Sequence, residues 1–309
     1  MSATDLLDRI MSAVASSRAV PIEWGATIAY IDREGSELER ARLRGILGRA
    51  RPDDKVTRAL EARQNEDGGF PYQFVQGRPS TIEATAIALM WLDDLGLFAG
   101  PNVDRALVFL LAQQRPDGSW DEPPGLLRYG PPPRLLPSDP RVRVASTALV
   151  AYWLARAGAG TDAVQRAAAY LRTCQTGGGR FVGFLRTTWF ATAFLHLVDG
   201  PGSDAVARGL DALAAVDDSR WRAGALAELL RCLGTAAVDE EVRPIGRCLD
   251  LLGRWRRPDG SWTSEDGPAY AVEVALQALR ASLCYATSGG GEPAGDAAPG
   301  SNRLHEDRR

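Results

Sequence analysis

Gln114-Arg115-Pro116-Asp117-Gly118-Ser119-Trp120 is the stretch that decides how the rest of the 309-residue chain is read. Its pattern is Gln, two residues, Asp-Gly, one residue and an aromatic ring, and it returns along the chain with wear. Gln64 to Phe70 keeps all of it, Gln175 to Phe181 loses the Asp, and Arg256 to Trp262 loses the Gln. Ala215 to Trp221 keeps an Asp and the Trp, and Arg18 to Trp24 keeps little but the Trp. The first positions, 18, 64, 114, 175, 215 and 256, recur at intervals in the range of repeat architectures. Asp-Gly suits a tight turn after a helix, because Gly tolerates positive φ and Asp bonds its own backbone. The ring is a large apolar anchor, and the Gln can satisfy orphan backbone groups at a neighbouring helix end. The motif therefore predicts a staple between repeats and no chemistry of its own.

Helical periodicity surrounds each motif. A short amphipathic helix over Asp5 to Ser16 precedes segments at Trp24 to Ile31, Glu37 to Leu47 and Asp53 to Arg63. After the first clear motif, Thr81 to Leu95 is apolar almost all round, the mark of a helix buried on every side. Amphipathic and apolar helices then alternate: Val103 to Gln113 with Val142 to Ala157, Ala163 to Cys174 with Thr188 to Val198, Ala205 to Leu213 with Ala223 to Leu233, and Val242 to Trp255 with Ala269 to Leu283. The fold class is all-α, about a dozen helices in six pairs with no convincing strand. Each pair can bury its apolar helix only against its neighbours. Residues 1–286 read as a single domain, and residues 287–309, poor in core-forming side chains, as a disordered tail. The seven prolines between Asp121 and Pro140 mark an inserted loop, and loops of that length are usually functional or disordered.

Composition sets the outer bounds. A net charge of −3 with 24% charged residues gives no reason to expect nucleic acid as a partner. No apolar run approaches the ~20 residues needed to span a bilayer, and the N-terminus lacks the layout of a signal peptide, so the expected location is cytoplasmic. Cys174, Cys232, Cys248 and Cys284 are scattered through helical segments and read as free thiols.

The Gln-to-Trp turns at helix-pair spacing resemble the repeats of the prenyltransferase and squalene cyclase superfamily, across roughly residues 18 to 285. That resemblance implies an (α/α)6 toroid, with inner helices around a cavity that opens where they begin. Helix N-termini there offer partial positive charge and free amide donors. Two chemistries of the superfamily can be tested. Protein prenyltransferases hold zinc through Asp, Cys and His, but this chain has only His196 and His305, and no Asp-x-Cys precedes a matching His; no metal site is expected. Class II terpene cyclases carry Asp-x-Asp-Asp-Thr-Ala at the start of an inner helix, and its middle Asp protonates an alkene or epoxide. Here Thr81-Ile82-Glu83-Ala84-Thr85-Ala86 aligns, with Glu83 at the protonating position and Thr81 and Ala84 in place of the flanking acids.

Two roles are open for Glu83: the acid, or half of a capping box with Ser80 as N-cap. Aligning Thr85-Ala86 with Thr147-Ala148 and Thr192-Ala193 places Ala145 and Phe190 level with Glu83, and Arg143 and Thr188 one turn earlier. Arg222 and Tyr270 fall in the same zone of later repeats. Thr81, Thr85, Arg143, Thr188, Trp189, Phe190, Arg222 and Tyr270 are thus the candidate substrate-binding residues. Arg143 and Arg222 suit a diphosphate, because guanidinium forks match phosphate oxygens. Trp91, Trp153, Trp189, Phe190 and Phe194 suit a cation-stabilising wall. Asp93-Asp94 lacks the third acid of ionising terpene synthases and reads as a solvated helix end.

The resemblance implies an enzyme that cyclises or isomerises a prenyl substrate without a required cofactor, Mg2+ entering only with a diphosphate. A carbocation is quenched by water, so the Pro-rich loop or the second copy in a homodimer would have to close the cavity. The alternatives are a non-catalytic toroid that binds a prenyl or other lipid-like ligand or a protein, and a subunit of a protein prenyltransferase.

Overall fold

The computed structural model describes residues 24–48, 52–239, 241–264 and 267–288; the Asp5 to Ser16 helix and the tail beyond residue 288 lie outside them. Twelve α-helices run through the described residues. They are α1 Trp24–Glu34, α2 Glu37–Ile46, α3 Asp54–Glu61, α4 Ile82–Asp94, α5 Pro101–Ala112, α6 Pro140–Arg156, α7 Thr161–Thr173, α8 Leu185–Asp199, α9 Asp204–Ala214, α10 Ala223–Thr235, α11 Arg243–Arg254 and α12 Ala271–Ser288. Each even-numbered helix packs on the next even one, and α12 packs on α2, so the inner ring closes. The odd-numbered helices lie outside it, each against an inner neighbour. The all-α toroid of six helix pairs is therefore present. One small exception to the expected lack of strands is an antiparallel pair, β1 Phe70–Pro71 with β2 Ser80–Thr81.

From α4 onward the apolar helices are the inner ones, as their all-round hydrophobicity requires, whereas in the first pair the charged α2 is the inner helix and the more apolar α1 the outer. In α6 every residue from Ser146 to Leu154 is buried, whereas amphipathic α9 buries one side. The motif turns join the outer layer. Gln114 Nε2 donates to Gly118 O of its own turn (3.1 Å) and to Ala163 O in the first turn of α7 (2.8 Å). Gln64 and Gln175 repeat this with Gly68 and Asn102, and with Gly179 and Ala205. Each Nε2 bond goes to a backbone carbonyl, while the amide oxygens of Gln114 and Gln175 accept from Arg166 and Arg208, so the Gln rescues no orphan backbone amide. Gly118 sits at φ +85, where a Cβ would come within 2.6 Å of Arg166 O on the next outer helix.

The ring of the motif ties inward. Trp120 Nε1 donates to Leu110 O (2.6 Å), and its backbone N–H donates to Thr147 Oγ1 on α6 (2.9 Å). Phe70 N–H uses Thr85 (3.0 Å) and Phe181 N–H uses Thr188 (3.2 Å) in the same way. These bonds define the true register of the inner helices as Thr85, Thr147 and Thr188. The alignment on Thr192 was one turn too far; that side chain packs against Gly209 of α9. Ala145 and Arg186, not Phe190, therefore stand level with Glu83.

The far end of α4 also differs from its sequence reading. Asp94 and Asp93 are buried, 1% and 8% exposed, and are not solvated. Asp94 accepts from Arg42 of α2 (2.9 Å) and Arg231 of α10 (3.1 Å). Asp93 pairs with Arg156 of α6 (2.8 Å), Arg231 (3.4 Å) and Arg280 of α12 (3.4 Å), and Glu273 of α12 holds Arg42 from its other side. Cys174, Cys232 and Cys248 are free thiols.

Candidate active site

A cavity of about 620 Å3 lies inside the inner ring. Its exposed rim carries Tyr270, at 54% exposure, and Arg134 from the Pro-rich loop. That loop is folded into two 3-10 turns, Pro124–Tyr129 and Pro133–Leu135, whose Leu126 and Leu135 bury against Tyr72. It therefore covers part of the mouth.

Glu83, in the first turn of α4, lines the cavity with its side chain 16% exposed. It does not form a capping box. The N-cap is Thr81, whose Oγ1 accepts from Ala84 N–H (3.2 Å), while Ser80 Oγ donates to Asp67 (2.7 Å). The first two amides of the helix, Ile82 N–H and Glu83 N–H, donate instead to Glu122, each at 2.9 Å. With its cap supplied from the loop after the second motif, Glu83 is left to face the cavity. Arg186 Nη1 stands 3.4 Å from it and Arg134 Nε 3.7 Å. Arg186 has most of its fork elsewhere: Nε and Nη2 reach the two oxygens of Glu228 at 2.9 and 2.7 Å. Burial pulls the Arg186 guanidinium down, but Glu228 and Glu83 outweigh it and hold it above its ordinary value.

Glu122 was not foreseen. It is 2% exposed and shares a side pocket of about 200 Å3 with Glu83, Arg134 and Arg186. Burial pushes its carboxyl up to about 8, against the downward pull of the two amide bonds. Nothing in the local sequence marks it, since its partners lie 39 and 40 residues away.

The cavity walls are aromatic. Phe74 stacks on Trp91 with ring centroids 4.3 Å apart, and Tyr152 meets Trp153 and Phe190 edge-on at 5.2 and 5.4 Å. Phe74 reaches Trp91 from a turn in which Gln73 and Phe74 both hold φ near +56, a conformation non-glycine residues rarely adopt. Offset rings of this kind present negative faces to a developing cation. At the inner end the wall turns polar, with Arg231, Glu273 and Gln277.

Of the candidates named from sequence, Thr81, Glu83, Phe190 and Tyr270 line this cavity, as do Trp91 and Trp153. Thr85 and Thr188 are sealed in the scaffold by their bonds to the motif rings. Trp189 packs on Trp221, 6.2 Å between centroids, and Phe194 is fully buried; neither lines the cavity. Arg143 turns to Asp121 (3.3 Å), and Arg222 donates to the carbonyls of Ser219 and Trp221. The two arginines are absent from the cavity lining and do not assemble a diphosphate clamp around it. Among the described residues no three His, Cys, Asp or Glu side chains are grouped so as to hold a metal, and no helix is long and apolar enough to cross a membrane.

No protein-family model matches the chain, and no curated protein matches it in sequence. Solved structures do. A variant of type II terpene cyclase MstE from Scytonema, in its apo form, superposes with a TM-score of 0.59 at 15% identity, covering 92% of this chain and 99% of that one. A second MstE variant, in complex with its substrate geranylgeranyl dihydroxybenzoate, gives 0.57 at 16% identity with the same coverage. A protein from Actinoplanes gives 0.53 at 18%, covering 93% and 100%. The chain thus has the α/α toroid fold that type II terpene cyclases adopt, over nearly its whole length.

Proposed function

We propose that the protein is an enzyme of the type II terpene cyclase kind, acting on an isoprenoid by acid-initiated cyclisation or isomerisation. The observation that carries this is Glu83: a carboxyl at the start of an inner helix, freed from capping by Glu122 and facing an aromatic-walled cavity. Its volume is within the usual range for small-molecule sites. In this reading Glu83 gives its proton to the terminal alkene, and the tertiary cation that results is attacked by the next double bond. The sequence ends when a carbon beside the last cation loses a proton to a base. Arg186, already forked onto Glu228, touches Glu83 through only one long contact. The Pro-rich loop excludes water from one side of the mouth. A second copy of the chain would complete the closure.

The prenyl character of the substrate is supported by the likeness to MstE, which takes a geranylgeranyl compound. Acid initiation requires no cofactor, and Mg2+ enters only if the substrate is a diphosphate. A second reading, a non-catalytic toroid that binds an isoprenoid, is favoured by the lack of acids at Thr81 and Ala84.

The test is incubation with geranyl, farnesyl and geranylgeranyl diphosphates, squalene and prenylated aromatics, with product analysis. Glu83→Gln should lose at least about a hundredfold in turnover, as removal of a general acid does, with its melting temperature little changed. Full turnover by the variant removes Glu83 as the acid. Tight binding without turnover by the native chain selects the second reading.

A further inference from the structure

The inner end of the cavity is polar in a way that a hydrocarbon cannot use. Met90 lies two turns along α4 from Glu83, about 10 Å by the rise of the helix. At that depth Arg231 donates to Met90 O (3.2 Å), Asp93 and Asp94. Gln277 of α12 points Nε2 at Glu273 Oε1 (3.0 Å) and Met90 Sδ (3.8 Å). Both residues line the cavity although they are only 5% and 9% exposed. The bond to Glu273 fixes the Gln277 amide, because a carboxylate held by Arg42 can only accept. The amide oxygen is thereby turned away from Glu273. Gln277 Oε1 accepts from no described residue, and it is not sealed in the core, so what it meets is the cavity. Beside it the Arg231 guanidinium lines the cavity, held in place from behind by Asp93 and Asp94. A free acceptor beside a guanidinium fits a group that donates a hydrogen from an oxygen bearing partial negative charge. A phenol or alcohol does this; a hydrocarbon does not.

We propose that the floor of the cavity binds the hydroxylated head group of the isoprenoid, its O–H donating to Gln277 Oε1 and its oxygen lying beside Arg231. The prenyl tail then runs between the Phe74–Trp91 and Tyr152–Phe190 walls with its terminal alkene at Glu83, which rests on the terpene cyclase reading. A substrate without a head leaves Gln277 Oε1 desolvated and unpaired, worth about tenfold or more in affinity.

The experiment reads binding separately from catalysis. Quenching of tryptophan fluorescence, with Trp91 and Trp153 in the wall, is titrated with 4-farnesylphenol, its methyl ether and farnesylbenzene. The phenol should bind at least about tenfold more tightly than either analogue. In Gln277→Leu, and in Gln277→Met in case the first variant folds poorly, that preference should fall to about twofold or less. Far-UV circular dichroism checks that each variant is folded. Equal binding of phenol and ether, a preference that survives in both folded variants, or no binding of the phenol overturns the assignment. A phenol preference with no Glu83-dependent product leaves the head-group site standing and removes the reaction. Glu83-dependent product with equal binding does the reverse.

Discussion

At the residue scale, Glu122 couples the site to pH. Burial is the largest influence on it, the neighbouring Glu83 and Asp121 side chains add to the upward push, and Arg134 and Arg186 share its pocket. Its carboxyl releases its proton near 4.5 in the unfolded chain and only near 8 in the folded one. Between those values the native state holds a proton that the unfolded state has lost, so stability falls as pH rises through this window and levels off above it. The whole shift corresponds to a loss on the order of 5 kcal/mol, of which roughly 3.5 kcal/mol falls between pH 5 and pH 8. Denaturant melts at pH 5 and pH 8 should show that loss for the native chain and a much smaller one for Glu122→Gln. Parallel behaviour of the two proteins would rule out a raised Glu122. Glu83 was legible because a neighbouring Thr-Ala pair fixes its place on a helix. Glu122 was not, because its role is made by a loop folding back over 40 residues, and no local pattern encodes that.

At the element scale, the motif turn works by close approach as much as by conformation. Gly118 (φ +85) lies against Arg166 O, whereas Gly77, at a similar φ of +83, has nothing within 4 Å of where a Cβ would stand. Gly77→Ala should therefore cost only the left-handed strain, about 1 kcal/mol. Gly118→Ala should cost about 3 kcal/mol or more, since α7 must move as well. Equal losses in urea titrations would show that the contact with α7 carries no weight. The helix pairs and their amphipathic or apolar character could be read from periodicity. Their register could not, because the ring-to-Thr bonds span 15, 27 and 7 residues in successive repeats. With such uneven connections, a Thr-Ala pair one turn along α8 served the alignment equally well. That ambiguity hid Arg186 behind Phe190.

At the scale of the whole molecule, the buried charges at the end of α4 join five of the six inner helices. Asp94→Asn leaves Arg42 and Arg231 short of a counter-charge in a sealed site, and breaking a buried pair in this way costs about 3–5 kcal/mol. A fall in thermal stability much smaller than that of a core truncation such as Leu89→Ala would show the cluster to be dispensable. Asp93-Asp94 looked solvated in the sequence because its partners come from four other helices and meet only when the ring is closed. The seam of that ring is the contact between the last motif and the first described helix, where Thr27 Oγ1 donates to Gly260 O at 2.9 Å across 233 residues. The last described repeat borrows its outer neighbour, α1, from the first described one. During synthesis α1 is thus among the first described helices to leave the ribosome and cannot find its seat until the last repeat has followed. Its buried face, Trp24, Thr27 and Ile31, must wait until the chain as far as Gly260, 233 residues beyond Thr27, has been made, and a contact of such long sequence separation gives folding of this toroid a slow closing step.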